Sequence, residues 1–411
     1  MAQVFKRWIP AAVAGVVVAG VAAAVPLAAN ADPGLPSKTP QEVVALAANS
    51  SVTAFSGTVE QTSDLGLPSL PGGVGSGSSG SGSSGSGAGG SGDAASDAAS
   101  SALELLTGTH TARVFVDGPD NLRLQVLDQL AERDVIRQGD SLWLYDSQKQ
   151  TALHATATGT GSSAPDALPT APGETATPEQ VASKLLSALD PSTDVSVGGD
   201  VTVAGRSAYD LVLTPQATDT LVGAVSIAVD SETGLPLRVE VTAKGAGDPA
   251  FTTSFSQLTL AKPSSDLFSF TPPEGTAVTE KSVDVAAAAD RAAAARAAHA
   301  SGAAAASGAG DATGSDSTGS DAAHRPVVTG SGWSSIVELP AGSDSAALTS
   351  SPLLSQLTTA VDGGRVLSTS LLNVFVTDDG RVFAGAVPAG SLEAAATASA
   401  AATPVAPAPS E

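Results

Sequence analysis

The sequence predicts an α+β protein, a large antiparallel sheet of about 11 strands lidded by helices and followed by a small α+β domain. Three observations carry this. Short runs of alternating apolar and polar residues recur between turn residues, as in Leu122-Arg123-Leu124-Gln125-Val126 and Leu237-Arg238-Val239-Glu240-Val241, the pattern of strands with one buried and one wet face. Only two segments of this region have the start signals of an amphipathic helix. The composition is also uneven, with core-poor stretches that set the boundaries.

The chain has 411 residues, 41 acidic against 19 basic side chains, a formal net charge of −22 and no cysteine. A nucleic-acid-binding surface is basic, so nucleic acid is excluded as a partner. Zinc fingers, thiol catalysis, disulfide scaffolds and thioether lipid anchors all need cysteine and are excluded as well. Residues 1–31 read as an export signal: Lys6 and Arg7, an apolar stretch from Ile9 to Ala29, and the small-x-small site Ala29-Asn30-Ala31. The protein is therefore expected outside the cytoplasm, secreted or associated with the cell envelope. An uncleaved N-terminal anchor is the alternative, since an apolar run of this length can span a bilayer.

The main domain is expected over 32–283. Thr39-Pro40-Gln41-Glu42 is a capping box with proline at the first helical position, and Val43, Leu46 and Ala47 supply its buried stripe. Thr177-Pro178-Glu179-Gln180 repeats the device, with Val181, Leu185 and Leu189 behind it and Asp190-Pro191 as the stop. Strands are expected over 53–67, 109–116, 121–130, 131–138, 141–146, 151–155, 194–203, 207–215, 222–229, 235–244 and 252–260. Between the first two lies a Gly/Ser-rich insertion, 72–101, that has nothing to bury. An Ala/Gly/Ser/Asp linker over 284–325 leads to a small domain, 326–393. That domain holds Gly332-Trp333, a helix opened by Ser351-Pro352 with Leu353, Leu357 and Val361 on one face, and a hairpin turning at Asp379-Gly380. Residues 394–411 read as an Ala/Pro/Thr tail. So many strands against two short helices is an unequal match, which leaves apolar concave surface for side chains or a ligand to fill.

Four segments carry a family resemblance. Gly139-Asp140-Ser141-Leu142-Trp143-Leu144-Tyr145-Asp146, Val212-Leu213-Thr214-Pro215-Gln216-Ala217, Phe268-Ser269-Phe270-Thr271-Pro272-Pro273-Glu274-Gly275 and the opening Ala54-Phe55-Ser56-Gly57-Thr58-Val59-Glu60-Gln61 resemble, in order, motifs of the LolA-type periplasmic lipoprotein carriers. Arg365-Val366-Leu367-Ser368-Thr369-Ser370 and Phe383-Ala384-Gly385-Ala386-Val387-Pro388 are similar to pieces of the second domain of the related MucB/RseB regulators. The resemblance implies an unclosed half β-barrel lidded by helices, an apolar cavity for acyl chains and no catalysis. It departs from the carriers at Gly118, where they have a lid-fastening arginine, and in the Gly/Ser insertion. The Ala-, Gly- and Asp-heavy usage points to a GC-rich bacterium of the actinobacterial kind.

No catalytic or metal site is expected, and no cofactor. His110, His154, His299 and His324 have no ligand-spaced neighbours and read as surface or strand-edge histidines. Asp311, Asp316 and Asp321 lack the frame of a calcium loop. G-x-S-x-G matches fall only in the Gly/Ser repeat, with no strand before them. The expected ligand cavity is lined by Phe55, Val59, Phe115, Leu124, Trp143, Tyr145, Leu213, Ile227, Val239 and Phe255. Trp143 and Tyr145 share one face of their strand and Leu142 and Leu144 the other, and the sequence leaves open which pair points inward. The expected function is a non-enzymatic envelope protein binding lipid or lipoprotein acyl chains as carrier or chaperone. The alternatives are a MucB/RseB-like lipid-responsive regulator with a membrane anti-sigma factor as partner, or a structural surface spacer.

Overall fold

The computed structural model describes residues 34–67, 107–127, 132–158, 177–187, 192–284, 327–341 and 357–402. The expected export signal, the Gly/Ser insertion, the linker from 285 onward and the helix opening at Ser351-Pro352 lie outside these residues, as do His299, His324 and the three linker aspartates.

Both helices with a sequence-level start signal form. In α1 (Pro40–Ala48) the Thr39 hydroxyl accepts from the Glu42 N–H at 3.3 Å while the Glu42 carboxylate accepts from the Thr39 N–H at 2.7 Å. In α2 (Pro178–Ser187) Thr177 and Gln180 make the same reciprocal pair at 3.3 and 3.1 Å. Each cap satisfies two backbone donors that a helix start otherwise leaves open. Burial pushes the Glu179 carboxyl in the first turn of α2 up.

The strands of the main domain are β1 (Ala54–Asp64), β2 (Thr107–Asp117), β3 (Asn121–Leu127), β4 (Glu132–Gln138), β5 (Ser141–Asp146), β6 (Thr151–Thr158), β7 (Thr193–Val197), β8 (Val201–Val203), β9 (Arg206–Pro215), β10 (Val222–Asp230), β11 (Pro236–Ala243), β12 (Pro249–Thr259) and β13 (Ala277–Asp284). They form a single 13-stranded sheet in the order β13-β6-β5-β4-β3-β2-β1-β12-β11-β10-β9-β7, with β8 on β9; its ends do not pair, so the barrel is open. Neighbours are antiparallel except β13, which runs parallel to β6.

Two features depart from the sequence expectation. The run 194–203 divides into β7 and β8 at Gly198-Gly199, where the Gly198 N–H donates to the Asp210 carbonyl. Strand β13 stands where the domain was expected to end. Its residues at 278–283 are mostly polar and exposed, so the apolar half of the period-2 signal is missing and backbone pairing makes the strand. It covers the β6 edge that would otherwise stay open.

The second sheet holds β14 (Val327–Thr329), β15 (Ile336–Leu339), β16 (Thr359–Val361), β17 (Gly364–Ser368), β18 (Asn373–Thr377) and β19 (Val382–Gly385), in the order β14-β15-β19-β18-β17-β16. The hairpin at Asp379-Gly380 forms as expected, with Gly380 at φ +85°. Val361, expected on a helix, lies on β16 instead. The expected tail contains a third helix, α3 (Ala389–Ala402). Leu392 and Ala396, one turn apart, pack it on Phe375, Phe383 and Val387. One leucine among alanines gives no apolar stripe to read, although alanine has the best helix propensity of any residue.

The second sheet docks on the first. The Ala386 carbonyl accepts from the Leu221 N–H at 2.7 Å and the Thr220 hydroxyl at 3.1 Å, and the Ser370 N–H donates to the Leu65 carbonyl at 2.9 Å. Ser334 donates to Asp219 at 2.7 Å, and the Trp333 indole N–H to the Thr193 hydroxyl at 2.8 Å.

Candidate functional site

Residues directly opposite one another in a ladder point to the same side of the sheet. Following the registers, Phe55 shares its side with Val116, Leu122, Arg137, Leu142 and Ala155. Val59 shares it with Phe255, Ala112 and Val126, and the row Leu211–Ile227–Val239–Thr253–Gln61 joins the two halves of the sheet on that side. Seven of the ten expected lining residues therefore stand on one continuous face: Phe55, Val59, Leu124, Leu213, Ile227, Val239 and Phe255. Leu142 and Leu144 are on it too.

The covering of this face comes in two parts. Phe55, Val59, Leu124 and Phe255 cluster with Val114, Val126 and Leu237, the two phenyl rings meeting edge to face at 5.9 Å. Leu213, Ile227 and Val239 cluster with Tyr209 and Leu211 under Val43 of α1 and Ala182 of α2, and Trp333, Leu371 and Ala386 of the second sheet pack against the same group. Val59, Leu213, Ile227 and Val239 are 0 % exposed. The half around Leu213, Ile227 and Val239 is thus closed by the two short helices together with the second sheet, while the half around Phe55 and Phe255 packs on Val203 of β8, Ala208 of β9 and Leu235.

Phe115, Trp143 and Tyr145, the other three expected lining residues, are on the opposite face. The row Phe115–Arg123–Ile136–Trp143–His154–Glu280 crosses six strands there. The segment between β12 and β13 runs over it: Phe270 packs on Trp143 and Tyr145 at 5.4 and 5.3 Å, and the Leu267 carbonyl accepts from Arg123 at 3.3 Å. Those aromatic side chains hold this crossover down.

Two polar groups on this outer face were not legible in the sequence. Asp134, 2 % exposed, pairs with Arg123 at 2.5 Å, while Glu132 pairs with Gln125. Burial, with Glu132 beside it, pushes the Asp134 carboxyl up to about 6 against the pull of Arg123. His154 bonds Ser141 Oγ through Nε2 at 2.9 Å and Glu280 Oε2 through Nδ1 at 2.7 Å, its ring stacked on Trp143 at 4.0 Å and 5°. The connectivity is that of nucleophile, base and orienting acid. Yet Glu280 is 67 % exposed, so water screens the charge meant to steady an imidazolium. The row instead fastens β13, the one parallel strand, to its neighbours. The sequence does not show the partners of His154 because they are 13 and 126 residues away. His110, also expected at the surface, is buried on the inner face opposite Gln61. Among the described residues no group of three or more metal-ligating side chains converges.

Residues 91–280 match a family model described as a predicted periplasmic protein, DUF2092. No curated protein matches the chain. Among solved structures, it is similar to MucB in the Pseudomonas aeruginosa MucA/MucB complex, with 16 % identity over 86 % of this chain and 96 % of that one, TM-score 0.38. It is also similar to a LolA superfamily protein from Nitrosomonas europaea, with 10 % identity over 57 % and 99 % of the two chains, TM-score 0.23. A third is an outer membrane lipoprotein-sorting protein domain from Vibrio parahaemolyticus, with 13 % identity over 56 % and 93 %, TM-score 0.20.

Proposed function

We propose that the protein is a non-enzymatic hydrophobic-ligand binder of the cell envelope, taking lipid or lipoprotein acyl chains on the inner face of the open sheet as carrier or chaperone. One observation carries this reading. The part of the inner face on β9, β10 and β11, with Tyr209, Leu211, Leu213, Ile227 and Val239, is closed by separable pieces, two helices of 9 and 10 residues and a second sheet. A tail that replaced such a cover would meet Val, Leu, Ile and Tyr side chains. Burying hydrocarbon is worth about 0.8 kcal/mol per CH₂, so half of a sixteen-carbon chain gives roughly 6 kcal/mol before association costs. That suits reversible carriage, and aliphatic walls do not dictate a single ligand. The division into a half-barrel domain over 32–283 and a second domain over 326–393 belongs to the same proposal, as does an extracytoplasmic location.

The test is solvent extraction of the purified protein with mass spectrometry, followed by palmitate uptake by the delipidated protein. Bound acyl lipid or saturable uptake at micromolar palmitate is expected. Neither co-purified lipid nor uptake would remove the carrier reading. A second reading, a lipid-responsive regulator holding the outer segment of an anti-sigma factor, is favoured by the docked second sheet, which plain carriage does not need. Capture of such a segment by the full chain, weakened by palmitate, is the outcome it requires; a structural spacer would do neither.

A further inference from the structure

Trp333, in the turn between β14 and β15, and Leu371, in the turn between β17 and β18, extend from the second sheet and pack against the helix-covered part of the inner face. Leu371 also touches a small cluster of Leu65, Ala243 and Ala250. The registers place these contacts at one rim. Val222 pairs with Ala243, Thr242 with Pro249, Ser63 with Phe251 and Thr193 with Pro215. Every hydrogen bond just described between the two sheets falls there, at Leu65, Thr193, Asp219, Thr220 and Leu221. Asp219 is the only charged group among them, and its partner is a serine hydroxyl. These bonds include no ion pair, and they accompany an apolar contact of Trp333, Leu371 and Ala386; relative motion of two such units is the ordinary expectation. Trp333 suits such a joint, with an apolar body against the core and an N–H held by a side-chain hydroxyl.

We infer that the second sheet is the stopper of the ligand site. Trp333 and Leu371 stand where a hydrocarbon tail enters at this rim, so that a tail and the docked second sheet exclude one another. The inference rests on the carrier reading and adds its regulation. A tail that binds only the undocked form shifts the equilibrium toward it, and its apparent affinity is lowered by the fraction undocked.

The chain has three tryptophans, Trp8, Trp143 and Trp333, so Trp8→Phe with Trp143→Phe leaves Trp333 as the sole reporter. Titration with palmitate should shift its emission to the red and raise acrylamide quenching about twofold, with the midpoint of palmitate uptake. Trp333→Ala should bind palmitate about tenfold more tightly, the gain expected when a mostly docked state is released. A second device does not depend on that variant folding. The chain lacks cysteine, so Ser334→Cys with Asp219→Cys makes a lone staple across the joint. Oxidation should lower uptake at least tenfold and reduction should restore it. Palmitate bound with Trp333 unmoved, or a staple without effect, would overturn the stopper and leave the carrier standing. No uptake by the native chain, Trp333→Ala or the reduced staple would remove both.

Discussion

Asp134 illustrates how a single residue on a sheet face departs from what its neighbours in sequence suggest. It alternates correctly for the outer face, where a carboxylate is ordinarily wet, yet the crossover that brings Leu267 and Phe270 across that face accompanies its near-complete burial. Its Oδ1 and the Arg123 Nε have no hydrogen-bond partner among the described residues. With a folded value of about 6 against about 3.8 for the free group, the folded protein holds this proton more tightly than the unfolded chain. Stability from this group is therefore highest below about pH 4 and declines through pH 6, by on the order of 2 kcal/mol. Urea midpoints between pH 4 and 7 should show that decline in the native protein and a flatter profile in Asp134→Asn. A rise with pH in the native-minus-variant difference would contradict the assignment. That Ile227 shares a face with Val225 and Val229, and Val239 with Leu237 and Val241, was legible because alternation within a strand places them. For Trp143 and Tyr145 the shared face was legible and its side was not, because alternation says which residues share a face and never which face is inner.

At the level of elements, legibility followed local chemistry. The helices at 40 and 178 announce themselves through threonine caps whose bonds close within three residues, and β5 is matched at both ends. Strand β13 and helix α3 are made by what they pack on or pair with, the β6 edge and the β18–β19 face, and no window of sequence contains that. The placement of α1 has a further, backbone-level determinant. Gly234 turns from β10 to β11 at φ +75°, and a Cβ there would meet the Leu46 carbonyl oxygen at 2.1 Å. Only glycine allows both the left-handed backbone and the close approach of the helix. Gly234→Ala should cost about 2 kcal/mol or more and loosen α1. Its urea midpoint, with hydrogen exchange over 40–48, measures both effects; unchanged protection in α1 would mean that the helix seat does not depend on this contact.

At the scale of the whole molecule, the described residues form two sheets with their own clusters that share a joint, and their stabilities should be separable in the same way. The second sheet folds around a small cluster of Ile336, Val366, Phe375, Phe383, Val387, Leu392 and Ala396, whereas the inner face of the first carries two larger ones. Leu392 is 0 % exposed and is the largest side chain that α3 contributes to its cluster. Leu392→Ala removes about 2–5 kcal/mol, a large share of what a unit of this size holds. The loss should fall on the second sheet first: amides of 359–402 should exchange faster while those of β1, β10, β11 and β12 keep their protection. Because Trp333 is inserted by that sheet but covers the core of the other, its fluorescence should register the opening while the first sheet remains folded. If Leu392→Ala instead lowers protection in both sheets together, the joint is not a contact between two cores but part of one cooperative core. The second sheet could not then move aside for a ligand without unfolding the first.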